Sequence, residues 1–576
     1  MMTTVNIHNE RIDDIPLLFF HQRVMGIPQI IDEQIQVHGN HQGLSLGWLV
    51  TGWVTFILSE SDHRLSYVEP WAAERLQTLQ ALFPEPMEAK DFTDDRLGDV
   101  LDYLSQDESW QEVEKALGQH QIQVYQLPID KVRTDTTSAA VYHEPNQGSL
   151  IRYGVSKDHR PDLGQFKIMM SGLDPLHMPL ATLVVPGNEA DDGLYLPVIE
   201  QSRQVLGEQG VIYFGDSKME ALSTRVGIVS AGDFYYMPLS MKGSQTDLLH
   251  QLVDEVWDKK DTLPLVKTID LKTGWPKTVA RVHETSRPQQ EDADEPTVKW
   301  QERVFVVYSP TLAKQADNGL AGRLLRAETK IRNLTPPPGR GRKQYDDLVP
   351  LQIEVDRILK HHRVQAFLQV TYRRHEQHRH IRKYRDRPHR TETTVRFEVQ
   401  VTRNQEAIRQ AQRYLGWRLY VTNAPKERLS AEDGVLAYRQ SPNFEHGFSR
   451  LKNRPLGLRP LFLRIENRIT GLVRLLSLAL RVLTLLEFVV RRSLSQAQDQ
   501  LTGLYPGNPN QATTRPTAER LLKAFDNLTL SSVELSQQTI RYISPLSPLQ
   551  SRILTLLGLP LSIYSELDII LEHNPP

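Results

Sequence analysis

Residues 125–240 restrict the fold more than any other part of the chain, because their apolar pattern changes from the helical period to the strand period. The predicted elements, in order, are strands Val132–Val141, Phe166–Leu173 and Leu180–Val185, a helix over Asp191–Leu206, and strands Val211–Phe214 and Phe234–Leu239 with a second helix between them. The short run Val211–Phe214 is continuously apolar, which is typical of a parallel strand buried on both faces. The order three strands, helix, strand, helix, strand predicts an α/β fold with a mixed sheet and flanking helices.

Three acidic residues occupy positions that suit one catalytic site. Asp135 lies inside the first of these strands, Asp216 follows the run Val211–Phe214, and Glu445 lies in a predicted helix over Leu436–Asn453. In such sheets, sites form at the carboxyl ends of strands. Carboxylates from two strands and a helix suit two divalent ions that stabilise the attacking and leaving oxygens of a phosphoryl transfer. We therefore predict Asp135, Asp216 and Glu445 as catalytic metal ligands, with Mg²⁺ as cofactor and Mn²⁺ as its substitute.

Composition excludes several classes of protein. The chain of 576 residues contains no cysteine, which excludes disulfides, thiolate zinc sites and cysteine nucleophiles. Its first ten residues are polar, so no signal peptide is expected. The most membrane-like stretch, Ile469–Val490, is interrupted by Arg474, Arg481 and Glu487, and its polar residues recur at helical spacing. We predict an amphipathic core helix there, a cytoplasmic location and no membrane partner.

The charge is unevenly distributed, although the net charge is only -2. Residues 1–120 contain 7 basic and 20 acidic side chains, whereas the remainder contains 61 basic and 50 acidic ones. The densest basic cluster, at residues 373–390, would attract backbone phosphates irrespective of base sequence, with a solvated charged hairpin as the alternative. The predicted DNA-binding members of this cluster are Arg373, Arg374, Arg379, Arg382, Lys383 and Arg385.

Changes in composition divide the chain into four predicted parts. These are an acidic helical N-terminal domain (1–124), a catalytic core (125–240 and 411–500), an inserted, mostly β, DNA-contacting subdomain (241–410) and a small C-terminal α+β unit (501–576). The insertion is inferred because 228 residues separate Asp216 from Glu445, far more than a connection requires. Trp417–Val421 is predicted as the strand that returns to the core.

Several stretches carry a family resemblance that runs nearly end to end. They are Gly43–Trp48, Asp91–Leu97, Gly154–Asp162, Gly215–Met219 and Gly471–Leu485, together with the settings of the three carboxylates. The chain resembles the Asp-Asp-Glu (DDE) transposases of bacterial insertion sequences, in the group with a Tyr-Arg-Glu-Lys signature around the third carboxylate. The resemblance implies a ribonuclease-H-like core, magnesium dependence and movement of a DNA element bounded by terminal inverted repeats.

The signature itself is matched with one departure. Its tyrosine, glutamate and lysine correspond to Tyr438, Glu445 and Lys452, but Ser441 stands at the arginine position and Arg439 is the nearest arginine. By resemblance, Tyr438, Arg439 and Lys452 are predicted to bind DNA. Two explanations of this departure stay open. Either Arg439 takes the role of the missing arginine, or the phosphate contacts are weakened and this copy could be inactive.

The resemblance implies a transposase that cuts the element ends and joins the freed 3′-hydroxyl to target DNA. The expected partners are double-stranded DNA, comprising inverted repeats and target, and a second copy of the chain in a synaptic homodimer; the expected location is the bacterial nucleoid. Two alternatives remain: a metal-dependent nuclease without strand transfer, and a transposase-derived DNA-binding regulator that has lost its chemistry. The three carboxylates favour an enzyme.

Two further motifs have no assigned role. His375, His378 and His380 follow no tight metal-ligand spacing, which favours a basic surface over a metal site. The segment Asp158–Asp162 precedes a predicted strand. Three roles stay open for this segment: it supports the site, it contacts DNA, or it is a plain loop.

Overall fold

The N-terminal region is a group of packed helices preceded by one strand. The computed structural model describes residues 6–39, 42–145, 148–270, 274–291, 297–339, 341–383, 388–535, 538–567 and 570–572. The first elements are β1 (Asn6–Arg11), α1 (Ile15–Val24), α2 (Ile27–Gln34), α3 (Leu46–Glu60), α4 (Val68–Ala73), α5 (Leu76–Leu82), α6 (Asp94–Leu104) and α7 (Asp107–Tyr125). Helix α7 is preceded by Gln106 and begins at Asp107.

A mixed sheet follows, in the predicted order. Its elements are β2 (Lys131–Val141), β3 (Gly164–Leu173), β4 (Met178–Pro186), α8 (Tyr195–Leu206), β5 (Ile212–Phe214), α9 (Leu222–Ser230) and β6 (Phe234–Pro238). β2, β3 and β4 form an antiparallel meander, and β5 pairs in parallel with both β2 and β6. β5 is buried throughout, as its continuous apolar run predicts.

The predicted insertion is divided between two structures. Its elements, and the strand after it, are α10 (Ser244–Val256), β7 (Leu265–Ile269), β8 (Pro276–Glu291), β9 (Val298–Tyr308), α11 (Pro310–Arg332), α12 (Leu348–His362), β10 (Leu368–Ile381), β11 (Arg390–Arg403), α13 (Gln405–Arg413) and β12 (Trp417–Thr422). β12 pairs with β6 and with β9, so the central sheet has the order β4-β3-β2-β5-β6-β12-β9-β8-β7.

This pairing corrects the predicted subdomain 241–410. β7, β8 and β9 continue the central sheet, because β9 hydrogen-bonds directly to the returning strand β12. The separate unit begins at α11 and has its own hydrophobic core, formed by residues between Leu320 and Ile408. It is not mostly β, because it contains α11, with 23 residues, and α12, with 15 residues, in addition to the hairpin β10–β11.

The C-terminal region contributes helices to the central core and strands to a sheet that includes the N-terminal strand β1. Its elements are α14 (Ala431–Tyr438), α15 (Ser441–Lys452), α16 (Glu466–Gln496), α17 (Ala518–Lys523), β13 (Thr529–Leu535), β14 (Gln538–Ile543), α18 (Pro548–Leu557), α19 (Ser562–Ser565) and β15 (Ile570–Glu572). β1 pairs with β13 in a second sheet of order β1-β13-β14-β15. The predicted boundaries at 124 and 501 therefore do not separate independent domains, since the two ends of the chain share one sheet.

Helix α16 lies at the centre of this shared core, and its polar stripe is buried rather than solvated. Arg481 is fully buried and donates to the Leu180 carbonyl at 2.9 Å. Arg474 contacts Asp107 and donates to the Leu104 carbonyl at 2.9 Å. The stripe thus connects α16 to α6, α7 and β4, although the Nε atoms of Arg474 and Arg481 have no hydrogen-bond partner among the described residues. Among the described residues, no helix combines the length and apolar character needed to cross a membrane.

Candidate active site

The three predicted carboxylates line one pocket of about 90 Å³. The register of the central sheet explains why two of them meet. Arg133 of β2 is aligned with Phe214 of β5 in a parallel pair, so Asp135 and Asp216 each lie two residues further along adjacent chains. The remaining lining residues are Arg133, Thr134, Gly215, Tyr438 and Phe444. The structure therefore brings together residues that are far apart in sequence, and their catalytic assignment stays a prediction.

Helix α15 places Glu445 at the pocket. The ring of Phe444 is buried and packs edge-on against His177 and Phe448, with centroids 5.5 and 5.2 Å away. Glu445, the next residue, is exposed. The predicted helix over Leu436–Asn453 is in fact α14 and α15, which are separated at Arg439 and Gln440; Pro442 lies in the first turn of α15, where proline is tolerated. The Ser441 side chain, at the arginine position of the signature, lies outside the described residues.

Asp135 and Asp216 are each held through one oxygen. Oδ1 of Asp135 accepts a hydrogen bond from the Thr136 amide at 2.7 Å and lies 3.4 Å from Lys157 Nζ. Burial raises the pKa of Asp135 to about 6; the charge of Lys157 lowers this pKa and that of Asp216 raises it. Oδ1 of Asp216 accepts the Tyr195 hydroxyl at 2.7 Å and the Lys218 amide at 2.8 Å. Burial and the two nearby carboxylates raise the Tyr195 pKa well above its usual value, so this phenol remains a donor.

The donor chemistry of the pocket fits a hard divalent ion. Carboxylate oxygens are the ligands that Mg²⁺ and Mn²⁺ prefer. Within the described residues, no hydrogen bond reaches Oδ2 of Asp135 or of Asp216, so each carboxylate retains an oxygen for a ligand. In the same described part of the chain, no three His, Asp or Glu side chains are grouped in a way that could hold one ion. Metal binding therefore stays a prediction.

The other signature residues have different surroundings. Tyr438 lines the pocket, and its ring lies 5.0 Å from that of Tyr420. Arg439 does not line it; its guanidinium donates to the Val279 carbonyl at 2.8 Å and to the Ser309 hydroxyl at 3.0 Å. Lys452 is largely buried and pairs with Asp158 at 2.7 Å. The predicted DNA-binding role of these three residues is not tested by their contacts.

The basic cluster lies on the hairpin β10–β11, with its charges on both faces. Arg373, Arg374, Arg379, Arg382 and Lys383 are exposed, whereas Arg385 lies outside the described residues. Because side chains alternate along a strand, Arg373 and Arg379 share one face and Arg374 lies on the other, paired with Glu376 at 2.7 Å.

The three histidines of this hairpin make cross-strand contacts. His375 contacts Glu398 at 2.7 Å, while His378 and His380 contact the hydroxyls of Thr393 and Thr391 at 3.0 and 2.8 Å. His375 lies on the opposite face of the strand from His378 and His380, so the three do not converge. This arrangement fits the basic surface that their spacing favours.

Sequence reasoning missed three residues that contact the carboxylates or support the pocket: Arg133, Lys157 and Tyr195. Arg133 has a local signal, since it lies two residues before Asp135 and therefore on the same face of β2. Lys157 belongs to Gly154–Asp162, a stretch that carries the family resemblance, but nothing in its spacing relates it to Asp135. Tyr195 has no recognisable signal, because it begins a helix whose docking depends on the whole sheet.

Replacing Tyr195 by phenylalanine is expected to slow the DNA cleavage predicted from the sequence about 10- to 100-fold, because a hydrogen bond to a charged group contributes roughly 1.5–3 kcal/mol. The measurement is the single-turnover cleavage rate at saturating Mg²⁺. Tyr236→Phe is the matched control, since the buried Tyr236 hydroxyl has no hydrogen-bond partner among the described residues. Equal rates for Tyr195→Phe and the wild type would show that this hydroxyl does not orient Asp216.

Comparisons with known proteins find a family model that matches the N-terminal part of the chain. Residues 7–114 match the model of a domain of unknown function (DUF4277), a transposase-associated family. No curated protein sequence matches the chain. Among solved structures, the piggyBac transposase synaptic complex with hairpin DNA is similar, with a TM-score of 0.30 and 8% identity over 89% of this chain and 78% of that one.

Proposed function

We propose that this protein is a metal-dependent DNA transposase that cuts the ends of an insertion sequence and joins them to target DNA. The observation that carries the proposal is the convergence of Asp135, Asp216 and Glu445 on one pocket from β2, the end of β5 and α15. The strand order β4-β3-β2-β5-β6, an antiparallel meander followed by two parallel strands, supports a ribonuclease-H-like core. The match to a transposase-associated family over residues 7–114 agrees with it.

In this proposal the chain's own residues prepare the carboxylates. Asp135, Asp216 and Glu445 would hold two Mg²⁺ or Mn²⁺ ions, which when bound supply charge stabilisation at phosphorus and a more acidic attacking hydroxyl. The Thr136 amide orients Asp135, while the Tyr195 hydroxyl and the Lys218 amide orient Asp216. Glu445 is exposed, and so a DNA backbone can approach the pocket from the side of α15.

DNA is the proposed partner of the basic hairpin. Exchanging Arg373 and Arg379 together for glutamine should flatten the dependence of log affinity on log salt by about 1.8, because each phosphate contact contributes about 0.9. The measurement is fluorescence anisotropy with an end-containing duplex at several salt concentrations. A control that neutralises the exposed Arg23 and Arg64 of the N-terminal region should leave the slope unchanged. An unaltered slope in the hairpin variant would instead support a merely solvated hairpin.

One assay separates the proposed function from its alternatives. The DNA flanking the gene is searched for inverted repeats, and a duplex carrying two such ends is incubated with the full chain, target DNA and Mg²⁺. A transposase yields products joined to target; a nuclease yields cleaved ends only; an inactive regulator binds and leaves the DNA intact. Sedimentation of the same mixture tests the proposed homodimer, which requires two chains per pair of ends. A complex of one chain that still cleaves both ends would exclude it.

A further inference from the structure

Lys157 brings a positive charge to the carboxylate pocket. It lies in the connection between β2 and β3, and its side chain is one-third exposed. Its ammonium donates to the Thr136 carbonyl at 2.6 Å and lies 3.4 Å from Oδ1 of Asp135. It also lies 3.6 Å from Oδ2 of Asp191. Lys157 is thus positioned between two carboxylates, only one of which belongs to the pocket.

The backbone and the next residue hold Lys157 in this position. The Lys157 amide donates to the Ser138 hydroxyl of β2 at 2.8 Å. Asp158 accepts the Ala140 amide of β2 at 3.2 Å and pairs with Lys452 of α15 at 2.7 Å and with Arg459 at 2.8 Å. Because Lys452 lies on the same helix as Glu445, this connection attaches to β2 and α15, two of the three elements that carry the pocket. The position of Lys157 is therefore built into the fold.

A cation beside Asp135 opposes a second cation at the same carboxylate. A divalent ion that uses Asp135 must either displace the ammonium or bind against its repulsion. Asp191 provides an alternative partner, because its carboxylate is already 3.6 Å from Lys157 and is itself held by Lys167 at 2.6 Å. Lys157 can exchange one carboxylate for the other through a change in its side chain alone.

We propose that Lys157 is a positioning residue that neutralises Asp135 before metal binds, and that its transfer towards Asp191 admits the metal and sets the metal affinity of the site. This inference rests on the proposed function only for the assignment of Asp135 as a metal ligand. It also gives a role to part of the segment Gly154–Asp162, which the proposed chemistry does not otherwise use.

The test is Mn²⁺ binding to the full chain without DNA, measured by titration calorimetry. Lys157→Met should bind Mn²⁺ about tenfold more tightly, because an opposite charge within about 4–6 Å biases a carboxylate by at least that factor. Lys131→Met is the matched control, since Lys131 lies on the same strand as Asp135, is 30% exposed and, among the described residues, forms an ion pair only with Asp130, at 3.3 Å. If Lys157→Met unfolds, Lys157→Gln removes the same charge and retains a donor for the Thr136 carbonyl.

A second variant tests the alternative partner. Asp191→Asn should weaken Mn²⁺ binding, because Lys157 then has only Asp135, and adding Lys157→Met should restore tight binding. Unchanged or weaker binding by Lys157→Met overturns the inference, and the proposed function survives if Asp135→Asn still abolishes Mn²⁺ binding. Absence of Mn²⁺ binding in the wild type and all variants would overturn the metal chemistry of the proposed function, and this inference with it.

Discussion

Asp216→Ala is expected to reduce cleavage at element ends by about three orders of magnitude while leaving DNA binding nearly intact. A carboxylate that holds a metal pair contributes several kcal/mol of transition-state stabilisation, and each 1.36 kcal/mol changes the rate about tenfold. Binding should persist because Asp216 is an acidic residue in a small pocket, and its replacement leaves the exposed arginines of β10–β11 unchanged. Single-turnover cleavage and a gel-shift assay on the same duplex measure the two properties separately.

Asp130→Asn is the control for this experiment. Asp130 immediately precedes β2, and its side chain is 42% exposed and pairs with Lys131. The substitution removes one negative charge at the start of β2 without removing a predicted ligand, so cleavage should stay close to the wild-type rate. Wild-type cleavage by Asp216→Ala in Mg²⁺ would refute the assignment of the pocket. Asp135→Ala and Glu445→Ala are expected to follow Asp216→Ala, since all three line the same pocket.

Arg133→Met is expected to lower the free energy of unfolding by about 3–5 kcal/mol, because it leaves a buried carboxylate without its charge partner. Arg133 and Asp174 are 4% and 2% exposed and lie 3.2 Å apart. Arg133 also donates to the Ala437 carbonyl at 2.7 Å, which ties β2 to the end of α14 beside Tyr438. Urea denaturation measures the loss, and cleavage assays below the unfolding transition should show reduced activity.

The double variant Arg133→Met/Asp174→Leu distinguishes loss of the ion pair from loss of packing as the cause of the lower stability. Replacing both members of a buried ion pair by apolar residues is often close to neutral, so most of the stability should return. A remainder of about 1–3 kcal/mol is expected, because the Ala437 carbonyl loses its donor. His177 is not a second positive partner of Asp174 in the wild type, because burial and the charge of Arg133 lower the pKa of His177 to about 3. If the double variant is less stable than Arg133→Met, the pair is not the source of the loss.

Local patterns in the sequence were sufficient to predict the central elements. The apolar run of β5 predicted a buried parallel strand, and the strand period around Asp135 predicted β2, because both signals depend on neighbouring residues alone. Helix α16 was also predicted from its period, but its arginines were assigned to a polar face. They are buried because α6, α7 and β4 supply partners that come from distant parts of the chain.

Long-range pairing was decided only by the tertiary structure. The sequence indicated that β9 and β12 are strands but not that they pair with each other, so residues 265–308 were assigned to an insertion rather than to the central sheet. In the same way, β1 and β13 share a sheet although more than 500 residues separate them. Hydrogen-bond partners in a sheet are chosen by packing of the whole core, and a local apolar pattern carries no information about that choice.

The candidate site shows the same division. The sequence by itself predicts three carboxylates, their places in strands and a helix, and the metal chemistry that such ligands suit. These residues are Asp135, Asp216 and Glu445. Their approach to one pocket depends on the register of β2 with β5 and on the docking of α15 through Phe444. The placement of Lys157 beside Asp135 and of Tyr195 beside Asp216 required the tertiary structure, because side-chain contacts between remote segments arise only when the core is packed.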